Sequence, residues 1–151
     1  WNGGGTVKII FVDSDWGIPS EDLVNSVQTA VDPVQNQGVG DGIAPIGHVV
    51  TVEGVVGTTV NVSFALTFAT SYTWESVEIE VQKAIQEYFA ELAKEWADQE
   101  VLIVRVSQIE TKVLAVDGII DVTGTTINGT AQNISLASNA IPVLGVVENV
   151  T

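Results

Sequence analysis

The sequence contains no cysteine and no methionine among its 151 residues, and its single histidine is His48. Without cysteine there is neither a disulfide nor thiol chemistry, and a zinc site built around one histidine would need carboxylates for its remaining ligands. Basic residues are scarce too: five Lys and Arg stand against 19 Asp and Glu, a formal net charge of -14. That balance repels phosphate backbones and anionic membrane surfaces, so no nucleic acid partner is expected. No apolar run approaches the roughly 18 residues of a membrane span, and no basic segment leads into an apolar one, so neither a span nor a signal peptide is read. The chain opens at Trp1 and reads as a fragment of something longer on its N-terminal side.

What is present is a normal supply of core residues, 46% hydrophobic, enough for one medium domain or two small ones. The acidity reads as a solvated surface or as docking charge for a basic partner. The dominant element is Thr73 to about Asp98, where Val77, Val81, Ala84, Ile85, Tyr88, Leu92 and Trp96 recur at three- and four-residue steps. Those positions form one apolar stripe of a long helix that Thr73 can cap, while Glu80, Glu87 and Glu91 fall on the opposite, solvated face.

Around that helix the spacing predicts an α+β architecture of two small lobes. Thr6 to Asp13 reads as a strand, Pro19-Ser20-Glu21-Asp22 as the capped start of a short helix that runs to Asp32-Pro33, and His48 to Glu53 as a second strand. The glycine-rich stretch Gln35 to Gly47 between them reads as a loop, plausibly mobile. These give an N-terminal β-α-β lobe over 1-55, with the boundary placed near residue 55 and a hairpin through Gly54 to Gly57 as the alternative. Lobe 56-151 reads β-α-β-α-β-β-β, with the long helix packed on a mixed sheet. Its strands are Thr58 to Phe68, Val101 to Val106, Ile119 to Ile127, Thr130 to Leu136 and Ile141 to Val147. Ser107 to Glu110 reads as a capping box opening the second helix, and Asn128-Gly129 as the two-residue turn of a hairpin.

No constellation of catalytic type stands out. Asp13-Ser14-Asp15 opens like a calcium loop but lacks the later oxygen ligands, so it reads as a strand-to-helix turn. Gly38 to Gly42 lacks the lysine and following helix of a phosphate cradle. His48 is the only histidine and so the only obvious general base, but no Gly-x-Ser-x-Gly elbow accompanies it. Four Asn-x-Ser/Thr triplets, at Asn61, Asn128, Asn133 and Asn149, read as chance. Trp1, Trp16, Trp74 and Trp96 are scattered over different elements; a sugar-stacking platform is the rival reading of them. The weak echo between Asn2-Gly3 before Thr6 and Asn128-Gly129 before Thr130 suggests that Trp1-Asn2 closes a hairpin whose first strand lies outside the sequence. Thr6, Lys8, Ile10 and Val12 would then lie on a strand edge open to association, and with Glu80, Glu87 and Glu91 they are the candidate interaction residues.

The order of segments resembles the C-terminal portion of baseplate J-like proteins, wedge components of contractile phage tails and related prophage elements. The stretches that carry the resemblance are Trp1-Asn2-Gly3 ahead of Gly5 to Ser14, Pro19 to Val24, Val31-Asp32-Pro33, Gly42 to Val52, Val60 to Ser63, Val116 to Val122 and Ile141 to Gly145. Asp117 departs from the pattern, which often has proline there. The resemblance implies a structural subunit in the virion tail baseplate, assembled in the bacterial cytoplasm through contacts with other baseplate and tail proteins and self-association in a ring. It implies no catalysis and no cofactor, an ending near the natural C-terminus and a missing N-terminal half. A carbohydrate-binding or adhesive surface module is the alternative.

Overall fold

The computed structural model describes residues 1–150 and divides the chain into two compact units, Trp1–Val56 and residues 57–150. The first unit is β1 (Thr6–Phe11), α1 (Glu21–Val31), a 3-10 turn (Val34–Asn36) and β2 (Val49–Gly54). β1 and β2 pair in parallel, Thr6 opposite Val49 through Phe11 opposite Gly54, so α1 is the crossover that a parallel pair requires. Ser20 caps α1 by accepting the Leu23 N–H at 3.3 Å, as its position before two acids predicts. Val24, Val27 and Val31 of α1 pack with Ile9 and Phe11 of β1 on buried Ala44, Val50 and Val52. The expected strands shift slightly: β1 ends at Phe11, leaving Val12 just beyond the ladder, and β2 begins at Val49.

The second unit contains β3 (Val56–Phe68), α2 (Trp74–Lys94), β4 (Ile103–Val104), α3 (Val106–Leu114), β5 (Ile119–Ile127), β6 (Ile134–Ser135) and β7 (Ala140–Asn149). This is the predicted α+β order, distributed over a three-stranded sheet β5-β3-β7 and a small separate pair β4-β6. β2 and β3 belong to different sheets, so the hairpin alternative at Gly54 to Gly57 does not hold. Val77, Val81, Ile85, Tyr88, Phe89, Leu92 and Ala93 of α2 are buried, with Val60, Val62 and Phe64 of β3 and Ile109 and Val113 of α3 also in the core. Each large side chain buried this way contributes on the order of 1.5–3 kcal/mol gross. Trp96 leaves the stripe: α2 stops at Lys94, a 3-10 turn Trp96–Asp98 follows, and the indole N–H donates to the Ser138 carbonyl at 3.0 Å. At the other end, hydrogen bonds from its own backbone N–H and from the Thr73 side chain hold the Glu75 carboxyl below the usual carboxylate range.

Three local expectations are corrected. The strand expected over Val101 to Val106 is only Ile103–Val104, because the chain turns into α3 at Val106. The helix therefore begins ahead of Ser107, which sits inside it, and no capping box forms. Its first amides are met from far away instead: Arg105 N–H by the Tyr88 hydroxyl at 3.1 Å and Val106 N–H by Asn133 Oδ1 at 2.9 Å. At Asn128-Gly129 the tight turn is present, both residues at positive φ and Ile127 and Thr130 exchanging N–H···O bonds of 2.8 and 3.0 Å. The hairpin stops there. β5 pairs antiparallel with β3, and the returning chain pairs only as β6 with β4.

Between Ser63 and Ala65 the β3–β5 register slips, β5 spending one residue more than β3, with Gly124 at φ 63. The bulge turns Thr125 inward, where its hydroxyl is buried without a hydrogen-bond partner among the described residues. An unmet buried hydroxyl costs about 1–3 kcal/mol, so Thr125→Val, nearly the same shape, is expected to raise stability by about 1 kcal/mol in urea unfolding. Burial raises the Tyr88 phenol above its ordinary value against the smaller opposing effect of the Arg105 N–H. The unfolded phenol ionises first as pH rises, so stability due to Tyr88 is complete below about pH 10 and is lost as the pH climbs through the folded value. Ultraviolet titration of Tyr72→Phe protein, which isolates Tyr88, should show late ionisation coincident with unfolding. In the first unit, Gln28→Ala leaves the Val52 N–H without its acceptor while Gln37 still reaches the Val50 carbonyl, and exchange of the β2 amides should report a loss of roughly 1–3 kcal/mol.

Candidate interaction surfaces

The two edges of the β1-β2 sheet are finished differently. On the outer side of β2, the buried side chain of Gln28 behaves like a strand amide: Nε2 donates to the Val50 carbonyl at 2.9 Å and Oε1 accepts the Val52 N–H at 2.8 Å. Asp32, also buried, accepts the Val50 N–H at 2.8 Å and the Gly38 N–H at 2.9 Å. Gln37 adds a bond to the Val50 carbonyl at 3.1 Å. That edge is closed by side chains.

β1 has β2 as its one sheet neighbour among the described residues. Val49 donates to Gly5 O and Val55 to Phe11 O, so the odd-numbered residues of β1 aim their backbone groups at β2 and the even-numbered ones aim outward. Of the expected edge residues, Thr6, Lys8 and Ile10 are therefore brought together on the outer edge, and Val12 follows beyond the strand. Lys8 is held by Glu53 at 2.7 Å and lies under the Trp1 ring, 4.9 Å from its centroid.

The glycine-rich loop is pinned. Besides the Asp32–Gly38 bond, Ile43 and Ala44 donate to Ala30 and Val31 of α1 at 3.1 and 2.9 Å, and Gly47 N–H reaches Gly38 O at 2.8 Å. A Cβ at Gly42 would stand 2.3 Å from the Val31 carbonyl oxygen, so the close approach needs glycine there. Held this way, the loop presents Ile43 and Ile46 at 80% and 78% exposure. Their exposure carried no signal in the sequence, because nothing in the spacing showed that the loop was fixed.

On α2, Glu80, Glu87 and Glu91 are all exposed, as their periodicity predicts. Glu80 and Glu87 line a groove of about 480 Å³ against α3, together with Lys83, Lys112, Tyr72 and Asp117. Glu91 is paired with Lys112 at 2.8 Å, an exposed contact worth at most about 1 kcal/mol. The acidic face is therefore partly neutralised at Glu91 and open at Glu80 and Glu87.

The remaining candidates have structural employment. Asp13 Oδ1 accepts the N–H groups of Asp15 and Gly17 at 2.9 and 2.7 Å, closing the turn after β1. Among the described residues no group of three or more His, Cys, Asp or Glu is placed to hold a metal ion, and His48 is exposed on the loop. Trp74 packs edge-on against Phe64, 6.1 Å between centroids, one helix length from Trp96. All four asparagines of the Asn-x-Ser/Thr triplets bond distant backbone: Asn61 to Val146 N–H, Asn128 to Asn61 N–H, Asn133 to Val106 N–H and Asn149 to Leu66 N–H, at 2.8 to 3.0 Å. Their side-chain amides are sheet and helix fastenings.

Comparison with known proteins follows the same division of the chain. Residues 1–54 match the baseplate J-like central domain, and residues 60–150 match the baseplate J-like protein C-terminal domain. The chain is 34% identical over 148 residues to the phage-like element PBSX protein XkdT of Bacillus subtilis (strain 168), covering 98% of this chain and 40% of that protein. It is also 34% identical over 145 residues to the uncharacterized protein YqbT of the same organism, again spanning 40% of the relative's length. The chain belongs to the baseplate J-like protein family.

Proposed function

We propose that this chain is part of a wedge protein of a contractile-tail baseplate, a structural component that works through protein–protein contacts and carries out no catalysis. The observation that carries this reading is the family match of both units, central and C-terminal, in one chain that is also similar to a protein of a phage-like element. The units 1-55 and 56-151 are taken as its two domains. Virion tail is the location that follows, with assembly in the bacterial cytoplasm and self-association in a ring as further parts of the proposal.

Two surfaces suit such a role. The outer edge of β1 is a strand acceptor at Lys8 and Ile10, whose backbone groups face away from β2, whereas the Thr6 N–H is taken by the Gly3 carbonyl. The α2 face with Glu80 and Glu87 suits a basic partner, in keeping with a chain of net charge -14. Small contacts of this kind suffice when repeated around a symmetric assembly.

Particles released from the source bacterium by DNA damage provide the test. An antibody to this chain should co-sediment with tails, and antibody in the soluble fraction or on cell surfaces with tails unlabelled would overturn the proposal. Glu80→Lys with Glu87→Lys, both exposed, should leave the fold intact and reduce incorporation into tails several-fold, more so at low salt. Glu91→Gln, which only releases Lys112, should change incorporation little.

A further inference from the structure

The dipeptide Asn-Gly occurs twice, at Asn2-Gly3 ahead of β1 and at Asn128-Gly129 after β5. All four residues are exposed, and both glycines have positive φ, 105 at Gly3 and 77 at Gly129. Beyond the adjoining residues, no heavy atom lies within 4 Å of the place a Cβ would take on either glycine, so neither is crowded. By exposure and by local sequence the two pairs are alike.

Their asparagine side chains are held differently. Asn128 is clamped at both ends of its amide: Oδ1 accepts the Asn61 N–H at 2.8 Å and Nδ2 donates to the Thr59 carbonyl at 3.3 Å. Its backbone N–H donates to the Asn61 carbonyl at 2.9 Å, so three bonds tie the residue to β3, the central strand of its sheet. At Asn2 it is the backbone that is held. Asn2 N–H reaches Thr6 Oγ1 at 3.1 Å, and Thr6 Oγ1 donates to Gly3 O at 2.8 Å, but the Asn2 side-chain amide makes no hydrogen bond among the described residues.

We propose that Asn2 is a site of spontaneous covalent modification, deamidation through attack by the Gly3 backbone nitrogen, and that the clamp to β3 protects Asn128 from the same reaction. The Gly3 amide gives its proton to water and its nitrogen bonds to Asn2 Cγ. The Cγ–Nδ2 bond then breaks, and Nδ2 leaves as ammonia with a proton taken from water. The cyclic imide that results takes up one water: opening at Cγ gives aspartate, and opening at the Asn2 backbone carbonyl gives isoaspartate. Nothing is oxidised or reduced, and the net change is one amide and one water to one acid and one ammonia. Attack requires Cγ to swing over the following nitrogen. The Asn2 side chain can do so without breaking a hydrogen bond, whereas Asn128 must first leave Asn61 and Thr59, so its reaction waits on local opening of the turn.

Either product places a new negative charge at the entry to β1. Isoaspartate also adds a methylene to the backbone inside the turn closed by Asn2 N–H, Thr6 Oγ1 and Gly3 O, and so loosens the contact that occupies the Thr6 N–H.

Peptide mapping by mass spectrometry, on protein held folded in mildly alkaline buffer beside a sample in guanidinium chloride, tests the assignment. In the folded protein the acid forms should accumulate about ten-fold or more faster at Asn2 than at Asn128, because the clamped residue reacts only from its opened state. In denaturant the clamp is gone, and the two rates should fall within a few-fold of each other. Equal rates in the folded protein, a faster Asn128, or no acid at Asn2 while the unfolded sample loses both amides would each overturn the proposal. So would a ten-fold difference that persists in denaturant, since it would then come from flanking residues and not from the fold. The measurement is made on purified protein, so its outcome is independent of whether tails contain the chain.

Discussion

The N-terminal unit depends on one substitution of side chain for backbone: Gln28 and Asp32 take the place of a neighbouring strand along β2. A parallel two-stranded sheet has two raw edges, and buried amides left unpaired there would cost about 1–3 kcal/mol each. Gln28 and Asp32, on and just after α1, reach across the top of the core and satisfy Val50 and Val52. Asp32 simultaneously ties the Gly38 amide, so the same carboxylate that closes the sheet fixes the loop. Helix, strand and loop then hold one another in place, and β1 keeps the single available edge.

The C-terminal unit uses the same device at longer range. Asn61, Asn128, Asn133 and Asn149 each accept a backbone N–H from a segment far away in sequence. Amide side chains suit this task because they offer donor and acceptor together without carrying charge. Around these fastenings, α2 supplies the apolar mass of the core and leaves its glutamates to solvent.

These fastenings mark where sequence reading succeeded and where it stopped. The long helix was legible because Val77, Val81, Ile85, Tyr88 and Leu92 share one buried face, to which Phe89 and Ala93 add, and the β-α-β order was legible because β-branched runs alternate with a capped helix. Asn128-Gly129 announced its turn correctly, but the pairing of the next strand is set at long range, with β4 rather than with β5, and no local pattern carries that choice. The start of α3 was missed for a similar reason: Ser107 and Glu110 look like a local cap, while the amides that needed partners found Tyr88 and Asn133. Gln28 and Asp32 gave no local sign of their role, since a polar residue on a helix ordinarily reads as solvent-facing. Thr6, Lys8 and Ile10 were named from the Asn-Gly echo ahead of β1, the exposure of Glu80, Glu87 and Glu91 was legible from helical period, and the exposed Ile43 and Ile46 of the loop gave no such sign.

The picture is of two modest scaffolds: a sheet sealed by side chains along β2, a keel helix with an acidic back, and a loop fixed by hydrogen bonds. Such parts suit a subunit whose work is to be held by its neighbours in a symmetric particle. Electron cryo-microscopy of the intact tail tests that account most directly. The account predicts density for both units at the tail's baseplate end, repeated around the tail axis, with the acidic α2 face against a neighbouring chain. A baseplate map in which all density is accounted for by other proteins would contradict it.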